Sequence, residues 1–339
     1  RTVEACARLR TSEKLRLLPL YGALPPAQQD DVMTPCEDRK VIVATNIAET
    51  SLTIPGVRHV IDAGLTRTNR YDPVRGFNTL QLETISRESA DQRAGRAGRD
   101  APGTCRRLWP LAEQQRRPAH TVPEIARVDL SEAILFLRAL GVDDIEHFPW
   151  ISPPSSARLD AADDLLRTLG LLAPGGTAVT LLGHGVSRLP AHPRLGVILK
   201  AAGDHGCGRE AALVAAILNE RPLPLTGKAG QRLRQSTPNV PPVAGPLPDP
   251  MPSDFFALIS ALHQAQRANF AADACNQLGI NGSAARQIWR TATLFERMLP
   301  RTPATETPID SDGLIKSLLR AFPDRIAKRR DAGSLLCDV

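Results

Sequence analysis

Aromatic side chains are scarce in this 339-residue sequence: 3 Trp, 2 Tyr and 8 Phe make up 4% of it. A surface that holds single strands mainly by stacking bases needs more rings, so stacking is not expected to dominate any nucleic-acid contact. Cysteine is sparse and dispersed. Cys6, Cys36, Cys105, Cys207, Cys275 and Cys337 include no C-x-x-C pair, and the 7 histidines do not cluster near them. Metal-site spacing is absent, and idle thiols in a reducing cytoplasm are expected, with no disulfide-linked partner. No apolar run reaches the ~18 residues of a membrane span, and no charged-then-apolar leader is present, so no membrane partner is expected.

What is present suits an ordinary globular chain. Hydrophobic residues are 42% and charged residues 23%, and the length allows two or three domains with real cores. A net charge of +6 is compatible with a polyanionic partner and by itself discriminates little. The sequence opens at Arg1 rather than methionine, so further chain is expected upstream.

Residues 3–10 read as helical, and Leu15–Leu20 as a strand. Pro25-Pro26 breaks the chain and sets up a helix over Ala27–Met33. Lys40–Ala44, Val57–Ile61 and Thr104–Trp109 are short apolar runs of the kind that form strands buried on both faces. Strands alternating with helices imply a parallel α/β layer, which binds ligands at the carboxyl ends of its strands. Thr45 and Asn46 stand at one such end, where their short polar side chains could hold a phosphate; a helix cap is the competing use. Thr66–Tyr71 and Asn78–Ile85 alternate as a hairpin does, joined through Asp72–Gly76.

The most distinctive stretch is Ser89–Arg99, Ser-Ala-Asp-Gln-Arg-Ala-Gly-Arg-Ala-Gly-Arg. Arg93, Arg96 and Arg99 recur every three residues, a spacing that places side chains on one helix face and lets Arg96 and Arg99 converge on one ligand. Gly95 and Gly98 remove bulk where a partner must come close to the backbone. The guanidinium fork donates in pairs and keeps its charge, which fits an anion with planar oxygens. A solvated basic helix is the alternative, but two interior glycines would cost it about 1 kcal/mol each relative to alanine.

This string resembles the last conserved motif of the DEAH-box helicases, a branch of superfamily 2. Upstream, Ala44-Thr-Asn-Ile-Ala-Glu-Thr-Ser-Leu-Thr-Ile54 is similar to the family's fifth motif, in the expected order. Near the end, Ala321-Phe-Pro-Asp-Arg-Ile-Ala-Lys-Arg-Arg330 resembles the bacterial HrpB branch. The resemblance implies an α/β RecA-like lobe over 1–115, its parallel sheet incomplete at the start. A winged-helix domain over 118–190 and an all-α bundle over 191–330 would follow, with a Pro-rich linker at 222–252 and a truncated C-terminal region from 331. Nine prolines fall between Pro222 and Pro252.

Beyond the lobe, Thr121-Val-Pro-Glu124 fits a capping box opening a helix with an apolar stripe of Ile125, Val128, Leu135, Leu137 and Leu140. A second helix carries Leu159 to Leu169, and Gly175-Gly176 with a strand at Thr177–Leu182 would form the wing. Helices are expected over 193–202, 209–219, 254–278, 283–298 and 311–330. Two superficial matches to motor chemistry are set aside. Gly227-Lys228 lacks the upstream glycine and the following Ser or Thr of a phosphate loop, and Asp144-Ile-Glu-His147 has the wrong order for an acidic box and reads as solvated surface.

The resemblance also implies roles. Gln92 would orient the attacking water, and Arg96 and Arg99 would reach the γ-phosphate as arginine fingers. Thr45, Asn46 and Ser51 would link the RNA backbone to the nucleotide state, Ser51 lying on the nucleotide side. Arg67, Arg70 and Arg75 on the hairpin would face nucleic acid, though a solvated edge ribbon would look the same. Met33 stands where most relatives place an aromatic against the adenine. ATP and single-stranded RNA are the implied ligands, with Mg2+ held on a first lobe this sequence does not contain. The implied activity is ATP-driven 3′→5′ translocation on RNA. A non-catalytic binding module of the same fold and a DNA helicase of the same superfamily are the alternatives.

Overall fold

The computed structural model describes residues 6–8, 15–22, 24–50, 54–72, 76–220, 223, 254–299, 311–326, 328–329 and 337–338. Most of the helix expected at 3–10, the hairpin turn with Arg75, Ser51, and nearly all of the Pro-rich stretch with Gly227-Lys228 lie outside them. Two units emerge, Arg1–Asp129 and Leu130–Val339.

In the first unit, β1 (Leu15–Leu20) pairs in parallel with β2 (Arg39–Ala44), and α1 (Pro26–Met33) returns between them with a proline in its first turn. A one-turn helix, α2 (Ile47–Thr50), follows β2. Next, β3 (His59–Asp62) pairs in parallel with β6 (Thr104–Arg107). Between those strands run a hairpin of β4 (Leu65–Asp72) and β5 (Phe77–Thr84), then α3 (Arg87–Gly95) continued by a 3-10 turn at Arg96–Gly98. The fourth helix, α4, spans Leu111–Arg116.

The parallel pairings and the hairpin agree with the alternating pattern, but the burial expectation fails. Ile61 is 73% exposed and β2 is half-buried at best, and each strand has a single pairing neighbour among the described residues. Among the described residues the parallel strands form two separate pairs rather than one sheet. The capping-box helix also fails. Only a 3-10 turn forms at Glu124–Ala126, and Arg127 leaves helical geometry with φ of −138°. The hairpin draws it out: Tyr71 N donates to the Arg127 carbonyl at 2.8 Å, and the Arg127 guanidinium donates to the Asn69 carbonyl at 2.5 Å.

The second unit begins with α5 (Ser131–Ala139) packed on α6 (Ser156–Thr168) and α7 (Leu181–Ser187). The strand expected at Thr177–Leu182 reduces to a single bridge between Leu172 and Val179. Thr180 ends it by capping α7, its hydroxyl accepting from Gly183 N at 3.0 Å. At the centre lie α8 (Pro193–Asp204) and α9 (Gly208–Asn219), both buried along most of their length. Around them pack α10 (Asp254–Arg267), α12 (Gly282–Met298) and α13 (Ser311–Ala321), with the short α11 (Ala272–Gln277) against α12.

The helix expected over 254–278 is thus two helices. Asn269 and Phe270 take φ of 49° and 55° at the break, held by Arg286, which donates to the Asn269 carbonyl and covers the Phe270 ring. Likewise α13 stops before the expected residue 330, because Pro323 cannot continue a helix. Arg194, 2% exposed, ties α8 to this turn through a two-pronged pair with Asp324 at 2.6 and 2.7 Å and a bond to the Ala321 carbonyl. Lys328–Arg329 and Cys337–Asp338 form a last two-stranded pair.

Candidate functional site

The Gln-Arg-x-Gly-Arg-x-Gly-Arg string is fixed at both ends. At its start Ser86 caps α3, its hydroxyl accepting from Ser89 N at 3.1 Å, while Arg87 N and Glu88 N find the carbonyls of Pro118 and Ala119. Every early amide that would otherwise be orphaned is thereby directed. At its end Gly103 lets β6 press against the 3-10 turn. A Cβ there would lie 2.0 Å from the Ala97 carbonyl and 2.5 Å from that of Arg58. Asp100 accepts from Gly56 N at 2.9 Å and closes the loop.

Of the three arginines, Arg93 and Arg96 are half-buried and bonded within the unit, while Arg99 is exposed. Arg93 donates from Nε to Glu49 Oε2 at 2.8 Å and from Nη1 to Asp62 Oδ1 at 3.0 Å and to the Leu65 carbonyl at 3.1 Å. Arg96 is half-buried and donates to the Glu49 carbonyl; Arg99 is exposed. The Arg96 guanidinium is held below its ordinary pKa, chiefly by burial and then by the nearby charge of Arg99, with Glu49 opposing. The charge of Arg99 thus weighs on that of Arg96, and a bound anion would offset it. Among the described residues nothing beyond their own segment approaches either glycine of the string: a Cβ on Gly95 or Gly98 would meet nothing within 4 Å. Whatever their small size accommodates is not part of the described chain. Gln92 is exposed on α3, on the same short segment.

Thr45 and Asn46 form the turn between β2 and α2, with exposed side chains. Thr45 N donates to the Leu20 carbonyl at 3.0 Å, and their own carbonyls accept from Ala48 and Glu49. Both carbonyls and the Thr45 amide are thus engaged, and the side chains remain at the surface. Met33 is half-buried at the end of α1. On the hairpin the arginines separate. Arg67 pairs across from Leu82 on one face and is exposed, while Arg70 lies on the other and is ion-paired to Glu83 at 2.5 Å. The hairpin root is clamped by Arg117, which donates to the carbonyls of Gly64 and Ile85 at 2.9 and 3.0 Å and stacks 4.2 Å from the Trp109 ring centre.

The sequence alone gave no role to Glu49, Asp62, Arg93 or Arg117. A lone carboxylate closing an apolar strand, as Asp62 closes β3, was the available signal for the buried network. Among the described residues no group of three or more His, Cys, Asp or Glu side chains could hold a metal ion, and the donors here are guanidinium and amide groups, which suit oxygens of an anion. Magnesium does not fit these residues. Asp144 and His147 pair with each other at the surface, at 2.9 Å.

Residues 1–101 match the family described as Helicase conserved C-terminal domain. The chain is 43% identical over 211 residues to the pre-mRNA-splicing factor ATP-dependent RNA helicase DEAH10 of Arabidopsis thaliana, covering 61% of this chain and 29% of that protein. It is 39% identical over 216 residues to the ATP-dependent RNA helicase HrpA of Escherichia coli (strain K12), covering 61% of this chain and 17% of that one. The crystal structure of the E. coli DExH-box NTPase HrpB aligns with 97% of this chain and 34% of its own, at 30% identity and a TM-score of 0.64. The chain therefore spans less than a third of these curated relatives.

Proposed function

We propose, for a chain that carries the conserved C-terminal domain of a DEAH-type helicase, that it forms the second half of an ATP site and part of an RNA path in an ATP-dependent RNA helicase. The observation that carries this is the half-buried Arg96 close to the exposed Arg99, beside two glycines with open space around them. A phosphate laid along that surface would compensate both charges and could approach the backbone closely.

In the proposed reaction, Arg96 and Arg99 stabilise the charge that builds on the transferring γ-phosphoryl group, a contribution worth about 10³–10⁵ in rate in related chemistry. Gln92 orients the attacking water from the same segment. Met33 covers the adenine, and Ser51 belongs to the nucleotide side of the loop after β2. The phosphate loop and the magnesium ligands come from a first lobe. Thr45, Asn46 and Arg67 hold the RNA backbone, with Arg70 and Arg75 completing the hairpin contact; Arg70 would exchange Glu83 for phosphate. Movement is 3′→5′ on single-stranded RNA. The helices of the second unit are read as a winged-helix domain over 118–190 and a bundle over 191–330, and the protein as cytoplasmic.

Phosphate release is the test. This chain alone should show no hydrolysis of ATP above background, with or without RNA. The same chain continuous with a first lobe bearing a phosphate loop should hydrolyse ATP and respond to RNA. Turnover by this chain alone would place the catalytic centre elsewhere.

A further inference from the structure

Arg93 is the one arginine of the string with no outward task, and its bonds join three pieces of chain. Its Nε binds Glu49, on the one-turn helix α2 that follows Thr45 and Asn46. Its Nη1 binds Asp62, at the end of β3, and the carbonyl of Leu65, the first residue of the hairpin. Asp62 is 4% exposed, and its Oδ1 also accepts from Gly64 N at 2.8 Å, just before the hairpin. Glu49 meets the string twice. Its carboxylate takes Arg93, and its backbone carbonyl takes Arg96. A shift of α2 relative to α3 therefore moves the acceptor that holds Arg96.

We propose that Arg93 is a positioning residue that couples RNA contact to ATP turnover, by locking the Thr45–Asn46 loop and the hairpin root to the segment that presents Arg96. This rests on the ATP and RNA roles proposed above. Arg93 touches neither ligand and works through Glu49. The network also has a second acceptor in reserve: Asp62 Oδ2 is buried with no hydrogen-bond partner. A buried carboxylate oxygen left unbonded is costly, and a small rotation of Arg93 would satisfy it. A buried pair able to take two arrangements would be the kind of element through which two sites bias each other. Lysine cannot copy this, since a single ammonium lacks the fork that spans two carboxylates and a carbonyl.

The experiment uses the chain continuous with its first lobe and compares the unsubstituted protein with Arg93→Lys, Glu49→Ala and the double variant. Readouts are ATP turnover with and without single-stranded RNA, KM for ATP, RNA Kd and Tm. In both single variants the RNA stimulation should fall at least tenfold, with RNA-free turnover, KM and Kd within threefold. The double variant should lose no more than either single one, because both act through one device. Stimulation retained in the single variants, or losses that multiply in the double, would overturn the coupling. So would an equal fall in both turnover rates together with KM and Tm, the mark of a structural role. Absence of RNA-stimulated turnover in the unsubstituted protein would instead overturn the ATP and RNA roles themselves, and the coupling with them.

Discussion

Replacing Arg117 with methionine tests how firmly the hairpin is rooted. The residue is 5% exposed, and its side chain closes the hairpin at both ends, bonding Gly64 before β4 and Ile85 after β5. Methionine keeps most of the length and can still lie on Trp109, but donates nothing. The Ile85 carbonyl loses its guanidinium partner in a buried setting, at about 1–3 kcal/mol. Gly64 O keeps Ile85 N at 3.0 Å, so the second lost bond costs only about 1 kcal/mol. Removing the cation from above Trp109 adds about 1 kcal/mol, part of which a thioether contact returns. Glu113, whose side chain is 44% exposed, contributes little to the balance. The expected loss is about 3–5 kcal/mol, confined to the first unit. Hydrogen exchange of the amides in 65–72 and 77–84 reads it directly, with the amides of α8 and α9 as internal control. Protection in the hairpin should fall by two or more orders of magnitude while the control holds. Hairpin protection within threefold of the unsubstituted chain would show that Arg117 does not root it.

Two further outcomes follow from the surface chemistry and from the buried pair in the second unit. RNA affinity should fall log-linearly with salt and to a similar degree for single strands of different sequence, because Thr45, Asn46 and Arg67 suit phosphate contacts; a strong preference for one sequence at fixed salt in a binding titration would contradict this. Hydrogen bonding from Arg194 holds the Asp324 carboxyl below the usual aspartate range. A depressed carboxyl stabilises the fold above its unfolded pKa, and that stabilisation is lost as pH falls through the folded value. Tm should therefore decline on acidification below about pH 4 more steeply in the unsubstituted protein than in Asp324→Asn, and parallel Tm–pH curves would refute the pairing's role.

The elements legible from sequence were those whose signal is local. The β-branched runs at Arg39–Ala44 and His59–Asp62, the alternation of the hairpin, and Pro26 at the start of α1 all announce themselves within a few residues. The misread elements were decided by distant contacts. Arg127 is pulled from a helix by the hairpin, and the break at Asn269-Phe270 is held by Arg286 from another helix. For the site, the motif string pointed to the Arg96 and Arg99 surface because spacing and glycine are local properties. The inward turn of Arg93 was not legible, since its partners Glu49, Asp62 and Leu65 lie far away in sequence. The hairpin arginines likewise look equivalent on paper; the pleat sends Arg67 and Arg70 to opposite faces, and Glu83 then occupies one of them.

The Arg96 and Arg99 pair is the centre of this account, and single-turnover kinetics on Arg96→Lys tests it most directly. In the chain continuous with its first lobe, lysine keeps the charge but loses the fork, so γ-phosphoryl transfer should slow by about 10³ or more while ATP still binds within a few-fold of normal. The Arg99→Lys variant should behave in the same way. A chemical step within threefold of the unsubstituted rate in both variants would contradict the account, and would leave Arg96 and Arg99 as structural residues beside a site that lies elsewhere.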